Sequence, residues 1–247
     1  MGVDFITFCY YGDVEKLHAP GYLRGLVESN QYEFDNVIVV RQRCHGRIDP
    51  LPPFNLPSAV QIVDSEDHPN ILTEFGIPEE DLLADEWTHG PTAPHYWKWH
   101  VINHLIGLKV SNADYVAFSD NDCRIIRTGH PSWIDMGIDL LTHYKEILVV
   151  SPSEGGQIAD GGFRPGGVRL TQNNSQQIFL CERERLANID FHVPWDWEFL
   201  APWEPFQEYY YMLEGRIWRY MHHHHLYRAI LPETWRYWHG EYRGELD

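Results

Sequence analysis

Two carboxylates one residue apart, Asp120 and Asp122, follow directly on the apolar run Asp114-Tyr115-Val116-Ala117-Phe118 and Ser119. An Asp-x-Asp triplet alone says little, because Asp and Asn populate turns for the sake of their local hydrogen bonds. Its setting gives it weight. A buried strand holds both carboxylates rigidly where it emerges from a sheet, and Mg²⁺ or Mn²⁺ takes such oxygen ligands together with substrate phosphates. A second group, Trp195, Trp197 and Trp203, stands in a Pro-interrupted loop. Three indoles there are hard to bury at once; they either offer flat faces to the C–H faces of a sugar or close the open end of the core. The run His222-His223-His224-His225 has metal-binding side chains but is read as structural. On the late strand that 222–230 suggests, alternate residues point to opposite faces, so four imidazoles do not converge on one ion.

The elements that must position these groups alternate in type. Val3 to Tyr10 is a short β-branched and aromatic run ending at Tyr11-Gly12-Asp13, which reads as a buried strand and a turn. Leu17, Tyr22, Leu23, Leu26 and Val27 recur at roughly helical spacing across Pro20-Gly21, and Val37 to Val40 is a second strand. A third strand, Ala59 to Val63, runs into Asp64-Ser65-Glu66-Asp67, and strand ends are where open α/β sheets bind ligands. Tyr96 to Leu108 carries apolar residues at 97, 101, 102, 105, 106 and 108, which predicts an amphipathic helix feeding the strand before the Asp-x-Asp triplet. This order predicts an α/β fold with a mostly parallel sheet. Beyond it, Ile147 to Val150 and Gln177 to Cys181 read as strands, and Phe206 to Leu213 as a helix. The glycine-rich stretch over 155–168 reads as a lid or a plain loop.

With 247 residues, 43% of them apolar, the chain can bury a sizeable core as one domain. Its 36 acidic against 19 basic residues, formal net charge -17, disfavour a nucleic-acid partner held by phosphate contacts. The 4 cysteines form no CxxC pair, which fits a reducing compartment. The N-terminus lacks a basic segment followed by an apolar one, and no apolar run approaches the roughly 20 residues of a spanning helix. A soluble, cytoplasmic protein without a transmembrane segment is the expectation. Asn173-Asn174-Ser175 is read as a polar turn.

The order of elements from residue 3 to about 126, closed by Asp120-Asn121-Asp122, resembles the GT-A-type glycosyltransferases of the nucleotide-diphospho-sugar transferase superfamily. The resemblance implies a Rossmann-like central sheet flanked by helices with a smaller acceptor-side region. Residues 1–126 would be the nucleotide-sugar-binding half and 127–247 the acceptor-binding and catalytic half of a single domain. It implies that Asp120 and Asp122 contact a Mn²⁺ or Mg²⁺ ion bridging the donor diphosphate, which acts as Lewis acid and template. A His near the C-terminus closes the metal shell in many members; here His239 stands in that place, and imidazole is an acceptable ligand. Nucleotide contacts are implied for Tyr10, Tyr11, Asp64 and Asn121. Lys98, on the helix before the motif, could approach phosphate or lie on a solvated face. Inverting members deprotonate the acceptor hydroxyl with a carboxylate at a helix start, and Glu208 occupies that place. Gln207 departs from the acidic pair expected there, so Asp196 or Glu204 in the Trp-rich loop is the alternative base, and inversion or retention stays open.

The implied activity is transfer of a sugar from a UDP- or GDP-linked donor to an acceptor hydroxyl on a glycan, glycolipid or other compound. Two other classes compete. A metal-dependent nucleotidyltransferase also pairs carboxylates, but such enzymes often carry a Gly-rich basic loop after the first strand, which Tyr11-Gly12-Asp13 is not. A non-catalytic carbohydrate- or nucleotide-binding protein on the same fold has no need of an intact Asp120 and Asp122.

Overall fold

The computed structural model describes residues 1–9, 19, 21–42, 56–78, 96–154, 159–173, 175, 177–193 and 212–239, with the side chains of 96–99 excepted. Strand β1, Val3–Cys9, is buried along its whole length, which is why it reads as an unbroken apolar run rather than an alternating one. It lies between β2, Asn36–Arg41, and β4, Tyr115–Ser119, parallel to both, and β3, Ala59–Asp64, extends this parallel block outward from β2. Helix α1, Tyr22–Glu28, connects β1 to β2, with Gly21 in the left-handed region just before it. The short α2, Ile71–Glu74, and the long α3, Tyr96–Val110, lie between β3 and β4.

The second half continues the same sheet. After β5, Cys123–Arg127, come α4, Trp133–His143, and β6, Ile147–Ser151. Strands β7, Gly162–Arg164, and β8, Val168–Thr171, form a hairpin whose turn places Gly166 and Gly167 at φ 79. Strand β9, Ile178–Glu182, is followed by α5, Arg183–Ala187; then come α6, Leu213–His223, β10, Tyr227–Ile230, and β11, Arg236–His239. The nine-stranded sheet has the order β3-β2-β1-β4-β9-β6-β10-β8-β7, and β11 pairs with β5 in a separate two-stranded sheet. Because β9 runs antiparallel to both β4 and β6, those two are parallel to each other, and β10 is parallel to β6. The C-terminal ends of β1 to β4, β6 and β10 therefore share one edge.

Helices cover both faces. On one, α1 and α4 pack Leu23, Leu26, Trp133, Ile134 and Leu140 onto Phe5, Ala117 and Val150. On the other, α3, α5 and α6 pack Val101, Leu105, Leu186, Ile217 and Met221 onto Ile6, Phe118 and Phe179. Trp133, fully buried, donates from its indole N–H to Asn30 Oδ1 at 2.9 Å, while the Asn30 amide donates to the Leu26 and Val27 carbonyls at the end of α1. Ser132 caps α4, accepting from the Asp135 N–H as Asp135 reaches back to the Ser132 N–H.

Three expectations need correction. Helix α3 is not amphipathic over 100–108: every residue there is buried, because α2, α5 and α6 close over the side turned from the sheet. His222–His225 do not stand on a strand; α6 continues through His223, and β10 begins only at Tyr227. The glycines at 161–167 form part of the β7–β8 hairpin and its approach at the sheet edge rather than a plain loop, and residues 155–158 of that stretch lie outside the described residues. Among the described residues no helix is long and apolar enough to cross a membrane.

Candidate metal centre

Strand β4 delivers the Asp-x-Asp triplet to the shared C-terminal edge, and a tight turn holds it there. The Asp120 N–H donates to the Gln177 carbonyl at 2.7 Å, and the Cys123 N–H returns to the Asp120 carbonyl at 3.1 Å. Asn121 turns into the fold: its amide donates to the Phe8 carbonyl at 3.1 Å, and its own carbonyl accepts the Tyr22 hydroxyl at 2.6 Å. This ties the triplet to β1 and α1; Asp122 stays partly exposed, while one Asp120 carboxylate oxygen is buried.

The small sheet brings the other end of the chain to the same place. Strand β11 pairs antiparallel with β5 so that His239 stands opposite Cys123. Its Nε2 comes within 3.5 Å of Asp122 Oδ1. Asp120, Asp122, Cys123 and His239 each offer a ligand atom, all within 4.8 Å of one another. Two carboxylates and an imidazole suit a hard divalent cation. Cys123 is a softer ligand; burial first, then the Asp120, Asp122 and Glu154 carboxylates, push its thiol well above the usual range.

Residues that the motif did not announce support this centre. Gln177 sits between His239, 2.9 Å from Nδ1, and the Tyr237 hydroxyl, 2.9 Å from Oε1. Tyr237 is 1% exposed and also shares a hydrogen bond with Glu154, just past β6. Burial raises its phenol, the nearby Arg228 opposes that, and Glu154 adds to it. Arg228 is itself buried, donating from Nε to Ser151 Oγ at 2.7 Å. None of these residues carries a motif that the sequence would flag.

By sequence, no protein-family model and no curated protein matches the chain. By structure, it is similar to mouse xyloside xylosyltransferase 1 in its apo form, with a TM-score of 0.51 and 10% identity over 94% of this chain and 85% of that one. The chain has the GT-A fold. A looser superposition, with TM-score 0.36 and 15% identity over 74% of this chain and 57% of the other, is to glucosyl-3-phosphoglycerate synthase from Mycobacterium tuberculosis in complex with Mg²⁺ and uridine diphosphate.

Within this GT-A fold, Asp64 closes β3 on the same edge as the cluster, three strands along from β4, roughly 14 Å at the usual strand spacing. Both its oxygens accept from Arg41, at 2.7 Å from Nε and 2.6 Å from Nη2. Lys98 lies in the first turn of α3, its side chain outside the description. Tyr10, Tyr11, Trp195, Asp196, Trp197, Trp203, Glu204 and Glu208 lie outside the described residues.

Proposed function

We propose that the protein is a divalent-cation-dependent glycosyltransferase that moves a sugar from a nucleoside-diphosphate donor to an acceptor hydroxyl. The observation that carries this is the convergence of Asp120, Asp122 and His239 at the C-terminal strand edge of a GT-A fold. Those three residues would hold Mn²⁺ or Mg²⁺, which when bound supplies positive charge to offset that on the departing nucleotide. Asn121 fixes the turn that carries the two carboxylates. Asp64, held in orientation by Arg41, marks the far end of the edge and would face the nucleoside, with Tyr10 and Tyr11 beside it. Lys98 would approach phosphate from α3.

In the acceptor half we assign Glu208, or Asp196, as the base that takes the acceptor proton in an inverting transfer, and Trp195, Trp197 and Trp203 as the acceptor platform. The donor is UDP- or GDP-linked and the acceptor a glycan, glycolipid or other hydroxyl compound. Cytoplasmic residence and division at about residue 126 belong to the same reading.

Calorimetric titration of UDP, GDP and their sugar conjugates, with and without Mn²⁺, into wild type and Asp122→Ala tests it. Binding of one nucleotide that needs Mn²⁺ and is lost in the variant is the expected result. Absence of nucleotide binding by the folded wild type sinks the donor site. Binding without sugar transfer to any candidate acceptor converts the reading to a non-catalytic binder.

A further inference from the structure

Glu154 stands just past the end of β6, exposed at the same strand edge as the Asp-x-Asp turn. The backbone that delivers it is fastened on both sides: the Ser153 N–H donates to the Trp235 carbonyl at 2.7 Å, and the Ser153 carbonyl accepts the Tyr237 N–H at 3.0 Å. Its carboxylate shares a hydrogen bond with the phenol of Tyr237, buried two residues before His239. Its charge also acts on Cys123 in the cluster. An exposed Glu ordinarily samples many rotamers, whereas this one is held at its backbone and at its carboxylate.

Two other carboxylates along this edge hold the fold together. Both oxygens of Asp64 accept from Arg41, and Glu233 accepts from Ser153 with Arg169 and Arg236 within 3.9 and 3.8 Å. Behind Glu154 and Tyr237 lies a different arrangement. Arg228 is 4% exposed; its Nε donates to Ser151 Oγ at 2.7 Å, and its Nη2 is buried without a hydrogen-bond partner. Its backbone pairs with Val149, so the side chain has run two residues along β6, roughly 7 Å, toward the shared edge. There its charge acts on Tyr237, Glu154 and Glu214. Burying a guanidinium with so little hydrogen bonding is costly, and here it sets positive charge behind a carboxylate that stands close to Asp120 and Asp122.

Three landmarks follow one another along the edge: Asp64 at β3, the Asp120–Asp122 turn at β4, and Glu154 at β6, two strands and about 10 Å beyond β4. With the nucleoside at β3 and the diphosphate at β4, the next group along a donor is its sugar. Resting on the nucleotide-sugar reading above, we propose that Glu154 is a specificity-determining residue whose carboxylate accepts hydrogen bonds from hydroxyl groups of the transferred sugar, held in place by Tyr237 and Arg228. A site built to pair with a hydroxyl discriminates strongly against a sugar that lacks it, because the carboxylate is then left unmatched.

The test uses the full chain and calorimetric titration of Mn²⁺ alone, then of UDP, GDP, UDP-glucose, UDP-xylose and GDP-mannose with Mn²⁺ present. Glu154→Ala is expected to bind the sugar conjugate that wild type prefers about tenfold more weakly or worse, while its affinity for the bare nucleotide and for Mn²⁺ stays that of wild type. Glu154→Gln, which keeps the shape and one acceptor oxygen, is expected to fall between the two. Glu154→Ala that is folded by circular dichroism and binds the conjugate like wild type overturns the proposal. So does a variant that loses bare nucleotide or Mn²⁺ to the same extent, since Glu154 then serves the centre and not the sugar. If wild type binds none of the nucleotides, the donor reading falls and takes the proposal with it, whereas normal wild-type binding with an indifferent Glu154→Ala removes the proposal alone.

Discussion

His239 and Asp122 meet 3.5 Å apart, Nε2 to Oδ1, because the β5–β11 ladder sets His239 opposite Cys123. The contact joins the last described strand to the turn after β4. Removing either side chain is expected to weaken Mn²⁺ binding at least tenfold, about 1.4 kcal/mol, by calorimetry. Chelation with EDTA is expected to abolish nucleotide binding and leave the far-UV spectrum unchanged, since the ligands lie at a sheet edge and not in the core.

Arg41 and Asp64 form a two-bonded pair whose side chains are only 11% and 18% exposed. Arg41→Ala leaves a carboxylate poorly solvated at the end of β3. A loss of about 1–3 kcal/mol is expected, read from the urea midpoint. Nucleotide affinity should drop with it under the proposed role of Asp64, because the carboxylate loses the group that orients it.

His100 lies on α3 with 3% exposure, and burial, helped by the neighbouring His104, pushes its imidazole down to about 3. The unfolded chain takes up this proton below pH ~6.5 while the folded chain does not, so stability is lost as pH falls from there toward the folded value. Between pH 7 and pH 5 this one group contributes a loss of about 2 kcal/mol. Urea melts across that range should show the fall in wild type and a shallower one in His100→Gln. Parallel slopes count against the assignment.

Ser132 and Asp135 form a reciprocal cap at the start of α4, the helix that buries Trp133. Ser132→Ala is expected to cost about 1 kcal/mol in chemical denaturation and to leave Mn²⁺ binding untouched. A change in cation affinity would show that α4 communicates with the centre.

The parallel block was legible because strands buried on both faces, such as Val37–Val40, appear as apolar runs between turn signals. Asp120 and Asp122 were legible for the same reason, as charge at the end of such a run. Strand β5 was not: Cys123-Arg124-Ile125-Ile126-Arg127 mixes Arg into a short segment, and its partner β11 lies at the other end of the sequence, so no local pattern reports their pairing. Helix α4 carries its cap as Ser132 with Asp135 in place of the more familiar Glu, which makes the box a weaker signal in the sequence. The strand suggested over 222–230 is shorter than its β-like residues imply, because α6 runs through His223 and only Tyr227 to Ile230 pair in the sheet. Gln177 has no motif at all. An amide becomes informative only when tertiary structure sets a ring on one side of it and a phenol on the other.

The wedge position of β9 has a kinetic side. It pairs with β4, formed earlier in the chain, and with β6, and the cluster is complete only when β11 has found β5. Contacts of such wide sequence separation form slowly, since loop closure must precede them. Under the proposed cation reading, cation capture in a refolding experiment is expected to lag the recovery of helix content, and a Mn²⁺ resonance signal would count finished molecules rather than collapsed ones.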